Sequence, residues 1–174
     1  MSERKKDPRR QEQGRLAKKQ GQAFEKRLDE AFRYYRDHGF AVIEKTPEPM
    51  RPAKNLGNGK FIAFYEKKAQ PDYKGVMKGG RALVFEAKFT STDRMAQERV
   101  KPKQAEYLDS HSRLGARCFI VAGFASGEVY NIPWAVWREM DKRFGHKYVT
   151  EAALEDYRVF RGQDDVLMLL NWPD

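Results

Sequence analysis

Two hydrophobic periods alternate along this chain. Apolar residues recur at helical spacing from Arg15 onward, at Leu16, Phe24, Leu28, Phe32 and Tyr35, which predicts a helix that Gly39 stops after His38. Phe40-Ala41-Val42-Ile43 begins a strand. Pro47, Pro49 and Pro52 then argue against any regular element until about Lys60, after which Lys60-Phe61-Ile62-Ala63-Phe64-Tyr65-Glu66 reads as extended. Strand character returns over residues 72–77 and 81–89, joined by the glycine-bearing hairpin loop Lys78-Gly79-Gly80. Residues 91–100 are polar and read as loop. Pro102 opens a helix to about Arg113. Residues 117–124 and 128–132 are two strands around Ala125-Ser126-Gly127, and Pro133 opens a helix whose Trp134, Trp137, Met140 and Phe144 read as core. A short helix near residues 151–158 and an apolar strand near 165–170 close the chain. Residues 1–13 lack periodic apolar positions and read as a flexible basic arm, leaving 14–174 as one domain with an excursion at about 47–70.

The hairpin at 72–89 carries the candidate chemistry. Side chains alternate faces along a strand, so Ala82, Val84, Glu86 and Lys88 share one face and Leu83, Phe85, Ala87 and Phe89 the other. If Met77 pairs with Arg81, Asp72 falls opposite Glu86, and directly opposed residues have Cβ atoms about 4.5–5.5 Å apart. Two carboxylates that close repel unless a cation or a shared proton relieves them. Lys88 adds positive charge to the same cluster. A solvated hairpin face with a surface ion pair is the competing reading of these three residues. Against it, Glu86 and Lys88 interrupt the most apolar strand of the chain's first half, where ionised groups are costly unless paired or metal-bound. Gln104, in the first turn of its helix, is placed to face the cluster, with a surface glutamine as the alternative. Glu25 lies beside the apolar stripe of the first helix, where it is either an inward-reaching group or an ordinary surface side chain.

Charge narrows the partner. The 174 residues hold 34 Lys plus Arg against 25 Asp plus Glu, a net +9 with a pI near 9.6, which points to a polyanion with nucleic acid as the first candidate, although the surplus alone also fits a simple RNA- or DNA-binding module or a membrane-surface protein. The single Cys118 sits in an apolar run and reads as a buried structural thiol. His38, His111 and His146 are too scattered for a zinc site. Cys/His and Ser/His/Asp hydrolysis are therefore disfavoured. No apolar stretch is long enough to span a bilayer and no secretion signal opens the chain, so a cytoplasmic protein without membrane contact is expected.

The order of elements, with an acid on one strand and Glu-x-Lys on the next, resembles the restriction-endonuclease-like fold, an α/β architecture with a mixed sheet flanked by helices. More narrowly, Gly21-Gln22-Ala23-Phe24-Glu25, Asp72-Tyr73-Lys74-Gly75, Phe85-Glu86-Ala87-Lys88 and Gln104 resemble the RecU family of Holliday junction resolvases. That resemblance implies a metal-dependent endonuclease that resolves four-way DNA junctions by paired nicks and works as a homodimer. It implies Mg²⁺, or Mn²⁺ in its place, on Asp72 and Glu86, with Lys88, Gln104 and Glu25 completing the site. It also implies a stalk, about 47–70 here, that enters the junction centre. Lys45, Lys54, Lys60, Lys67, Lys68 and Lys74 are the expected phosphate contacts. Lys19, Phe89-Thr90 and Gln97-Glu98-Arg99-Val100 depart from the family's usual residues, and a divergent, phage-encoded member fits these differences. A duplex-specific nuclease of the same fold and a non-catalytic binder of branched DNA are the alternatives; RNA binding is weaker, since the motifs of the usual RNA modules are absent.

Overall fold

The computed structural model describes residues 8–47, 49–65 and 70–171. Its centre is a five-stranded mixed sheet ordered β1-β4-β5-β7-β8, where β1 is Ala41–Lys45, β4 Tyr73–Met77, β5 Ala82–Thr90, β7 Arg117–Phe124 and β8 Val129–Pro133. All neighbours are antiparallel except β5 and β7. A parallel pair needs a crossover, and helix α2 (Pro102–Arg113) supplies it. The ends of β1, β5 and β7 therefore lie at the same edge of the sheet as the starts of β4 and β8. Helix α1 (Pro8–Asp37) covers one face, burying Phe24, Leu28, Phe32 and Tyr35 against Tyr73, Leu83, Phe85 and Phe119. The rings of Tyr73, Phe85 and Phe119 stack in a row at 5.0 and 4.5 Å across three strands. Helices α2, α3 (Trp134–Arg138) and α4 (Met140–Phe144) pack on the other face over Val84, Ile120 and Ile132. The expected mixed sheet flanked by helices is what the chain forms. Trp134, Trp137 and Met140 are buried as anticipated, and so is Cys118, whose thiol burial pushes up to about 11.

Six local expectations change. Helix α1 starts at Pro8, so residues 8–13 of the expected arm are helical, and residues 1–7 lie outside the described ones. Arg9 and residues 11–13 are exposed there, and an Arg15–Glu12 pair at 3.1 Å supports the extension. The prolines do not abolish structure before Lys60: Met50–Gly57 forms β2, antiparallel to β3 (Lys60–Tyr65), and Pro52 sits at a register shift where a missing N–H is tolerated. Within 91–100, Arg94–Ala96 forms β6 and pairs with β9 (Tyr148–Thr150), a partner some fifty residues away that no local pattern announces. The helix after Pro133 breaks at Glu139, and the segment after Glu151 is a 3-10 helix, Ala152–Tyr157. No strand forms over 165–170. Leu167 and Leu169 are buried, but Leu167 pairs only with Arg161 in an isolated antiparallel bridge, and the Tyr35 hydroxyl and the Asn131 amide hold the Leu167 and Leu169 carbonyls.

The turn of the β4–β5 hairpin is as expected: the Met77 N–H donates to the Arg81 carbonyl at 2.9 Å, and Gly79 and Gly80 take φ of 92° and 88°. Gly75 is required for another reason, because a Cβ there would run into the Val42 carbonyl oxygen of β1.

Candidate active site

The ladder pairs Tyr73 with Phe85, which puts Asp72 opposite Glu86. One Asp72 oxygen, Oδ2, accepts the Ala87 N–H at 3.0 Å, which fixes the carboxylate against β5. The Lys88 ammonium donates to that oxygen at 3.2 Å and to Glu86 Oε2 at 2.6 Å, so one cation bridges two acids. Gln104 completes the group from α2. Its Oε1 accepts the Lys101 N–H at 3.0 Å, which orients the amide so that Nε2 donates to Glu86 Oε2 at 2.7 Å.

Glu86 is fully buried and its second oxygen, Oε1, is buried with no hydrogen-bond partner. Burial raises the carboxyl pKa to about 8; the Asp72 carboxylate pushes the same way and Lys88 opposes it. A buried acceptor left unsatisfied costs roughly 1–3 kcal/mol, more if charged. A hard cation taking up that oxygen would remove the penalty and hold Glu86 ionised, so the residues present fit a metal with oxygen ligands. Among the described residues, no group of three or more His, Cys, Asp or Glu side chains gathers at one point, so Asp72 and Glu86 would act with backbone and solvent oxygens.

Asp72, Glu86, Lys88 and Gln104 are thus brought together. Glu25 is not joined to them: it is exposed on α1 and pairs with Lys45, at the end of β1, at 2.9 Å. That hydrogen bond raises the Lys45 pKa. Lys54 and Lys60 stand exposed on the β2–β3 hairpin. Lys74 is half-buried, donates to Gln70 at 3.3 Å and lies 5.0 Å from the centre of the Tyr107 ring. Lys67 and Lys68 lie outside the described residues. Lys101 was missed from the sequence. Its backbone role was findable, since Gln104 falls three residues on, the spacing at which a side chain reaches back to the start of a helix.

No helix among the described residues is long and apolar enough to cross a membrane. Comparison with solved structures finds Hjc, a Holliday junction resolvase from Archaeoglobus fulgidus, at a TM-score of 0.46 and 14% identity, over 75% of this chain and 90% of that one. Among curated relatives, the Holliday junction resolvase RecU of Streptococcus sanguinis is 32% identical over 65% of this chain and 60% of its own length. The RecU of Bacillus pumilus is 31% identical over 77% of this chain and 69% of its own. The chain therefore spans about three fifths of the length of the first of these relatives. The model of the family described as RecU, Recombination protein U, matches residues 19–166, a span that holds every element from the middle of α1 to the last 3-10 turn and all four clustered side chains; this chain belongs to the RecU family.

Proposed function

We propose that this protein is a metal-dependent endonuclease that nicks four-way DNA junctions, acting as a homodimer. The observation that carries the reading is the fully buried Glu86 with one oxygen unpartnered, opposite a second carboxylate and beside a lysine. Asp72 and Glu86 would hold Mg²⁺ or Mn²⁺, which supplies Lewis acidity, acidifying the attacking water and neutralising phosphate charge. The chain's own groups do the positioning. The Ala87 N–H fixes Asp72, and Gln104, pinned by Lys101, fixes Glu86. Lys88 reaches both acids from β5 and is largely buried, so it can orient the attacking water or offset charge developing on phosphorus without reorganising. Glu25 and Lys45 form an ion pair at the rim.

The β2–β3 hairpin leaves the domain between the end of β1 and the start of β4, at the sheet edge that carries the acids, and it exposes Phe61, Phe64 and Tyr65. A rod with lysines and aromatic rings suits the open centre of a junction, where phosphates and unstacked bases converge. Lys45, Lys54, Lys60, Lys67, Lys68 and Lys74 would contact the backbone. A two-fold dimer suits a substrate with two equivalent strands to cut.

The test is nicking of a mobile four-way junction and of its duplex arms, with Mg²⁺ or with EDTA, by wild type and Asp72→Asn. Symmetric junction nicks that need Mg²⁺ and Asp72 support the reading. Equal cutting of duplex arms turns it toward a duplex nuclease, and a bound but uncut junction toward an architectural binder.

A further inference from the structure

A second polar anomaly lies on the α1 side of the sheet. Arg27 of α1 donates through Nη1 to the Gly127 carbonyl at 2.7 Å, while its Nε and Nη2 are buried without any partner. It lines a cavity of about 130 Å³ with Gln20, Phe24, Phe89, Gly123 and Glu128. That is several times the roughly 30 Å³ that a water takes in the liquid. A second guanidinium, Arg161, donates to the same Gly127 carbonyl at 3.2 Å. Burial, and then the charge of Arg161, lower the Arg27 pKa. The carboxylates that act most on Arg27 are already paired: Asp165 Oδ1 with Arg161 at 3.1 Å, Glu128 Oε1 with Arg161 at 3.5 Å and Glu128 Oε2 with Arg158 at 3.7 Å. Two positive groups thus converge on one carbonyl, and one of them presents a fork of N–H groups that no protein atom accepts. An anion with two oxygens matches that fork.

The position names the anion. Phe89 is the penultimate residue of the strand that carries Glu86 and Lys88, Gly123 and Phe124 end β7, and Gly127 is in the turn to β8. The pocket therefore lies toward the same end of the sheet as the acid pair, on the α1 face rather than the face from which Glu86 and Lys88 project, where DNA seated over that end of the sheet would pass it. We propose that the Arg27 pocket, walled by Gln20, is a phosphate site that seats a backbone phosphate of the bound DNA away from the scissile one. This rests on the nuclease reading for its DNA source, but phosphate capture by Arg27 does not depend on cutting.

Inorganic phosphate is the probe for the pocket, and a four-way junction in EDTA is the probe for DNA. Phosphate should raise the melting temperature of wild type above a chloride control of equal ionic strength, and Arg27→Met should remove the difference. The same variant should bind the junction about 5–10-fold more weakly, with a salt dependence reduced by about one phosphate contact. Gln20→Glu is the second variant. It leaves Arg27 on Gly127 but places a carboxylate two helical turns away on the same face, and should suppress both effects while the protein stays folded. If phosphate and chloride act alike on wild type, the pocket is packing and the proposal fails. If phosphate acts through Arg27 while junction affinity and salt slope are unchanged in both variants, the site takes a free anion and the DNA assignment is overturned. A protein that captures phosphate through Arg27 yet never cuts a junction defeats the nuclease reading alone.

Discussion

Two hairpins flank the same stretch of chain, β2–β3 before Asp72 and β4–β5 after it, and they distribute polarity in opposite ways. The β4–β5 hairpin lies inside the sheet, with cores on both faces, and buries a glutamate completely. The β2–β3 hairpin is exposed along its whole length and carries Met50, Leu56, Phe61, Ile62, Phe64 and Tyr65 into solvent. Folding alone favours neither arrangement, since it removes apolar surface from water and leaves charge in it. A sequence departs from that rule where function requires it. The departures differ in kind: the buried acid calls for a compact cation, the exposed aromatic rod for a large partner with flat faces.

The contrast breaks most sharply at the acids. Asp72→Asn or Glu86→Gln should lower single-turnover junction nicking by roughly 10²–10³-fold or more, on the scale of losing one preorganised charge-stabilising group, while circular dichroism shows an intact fold. Nicking within a few-fold of wild type would remove the pair from catalysis.

A second test concerns stability. The Glu86 pKa is about 8 in the fold against 4.5 ordinarily, so between those values the folded state binds more protons than the unfolded one. Stability without metal should therefore be greatest below about pH 4.5 as far as this group is concerned, and fall by at least ~1 kcal/mol as pH rises through about 8. Urea denaturation in EDTA at pH 6 and pH 8.5 reads it, and Glu86→Gln should flatten the difference. Equal slopes in the two proteins would show that burial does not govern this carboxyl.

The exposed hairpin should respond in the opposite manner. Phe64→Ala, at a residue 67% exposed, should change stability by no more than about 0.5 kcal/mol yet weaken junction binding by about 1–3 kcal/mol, the range for one lost base-stacking contact. A large stability loss with unchanged binding would make Phe64 a packing residue. The smallest effect is expected from Lys54→Ala and Lys60→Ala, each lowering the salt slope of junction affinity by about one contact.

Some of this was legible without coordinates because it is local. Alternation and a three-residue turn placed Asp72 opposite Glu86, with Lys88 on the same face, and helical spacing placed Phe24, Leu28, Phe32 and Tyr35 in the core. The misreadings share a cause. β2 forms across a proline because its ladder tolerates a register shift at Pro52, and β6 exists only because β9 arrives beside it. The segment at 165–170 has a strand's apolar composition but pairs only through one isolated antiparallel bridge, Leu167 with Arg161.

The sequence by itself determined which side chains share a face, since the pleat and the turn fix direction within a few residues. Tertiary structure decided what each of them meets. The parallel pairing of β5 with β7 through α2 brought Gln104 onto Glu86 and sealed that carboxylate from water, and the packing of α1 over the end of β7 left Arg27 with an unmatched fork. Solvent access and charge balance depend on groups that arrive from far along the chain, and no local pattern encodes their arrival.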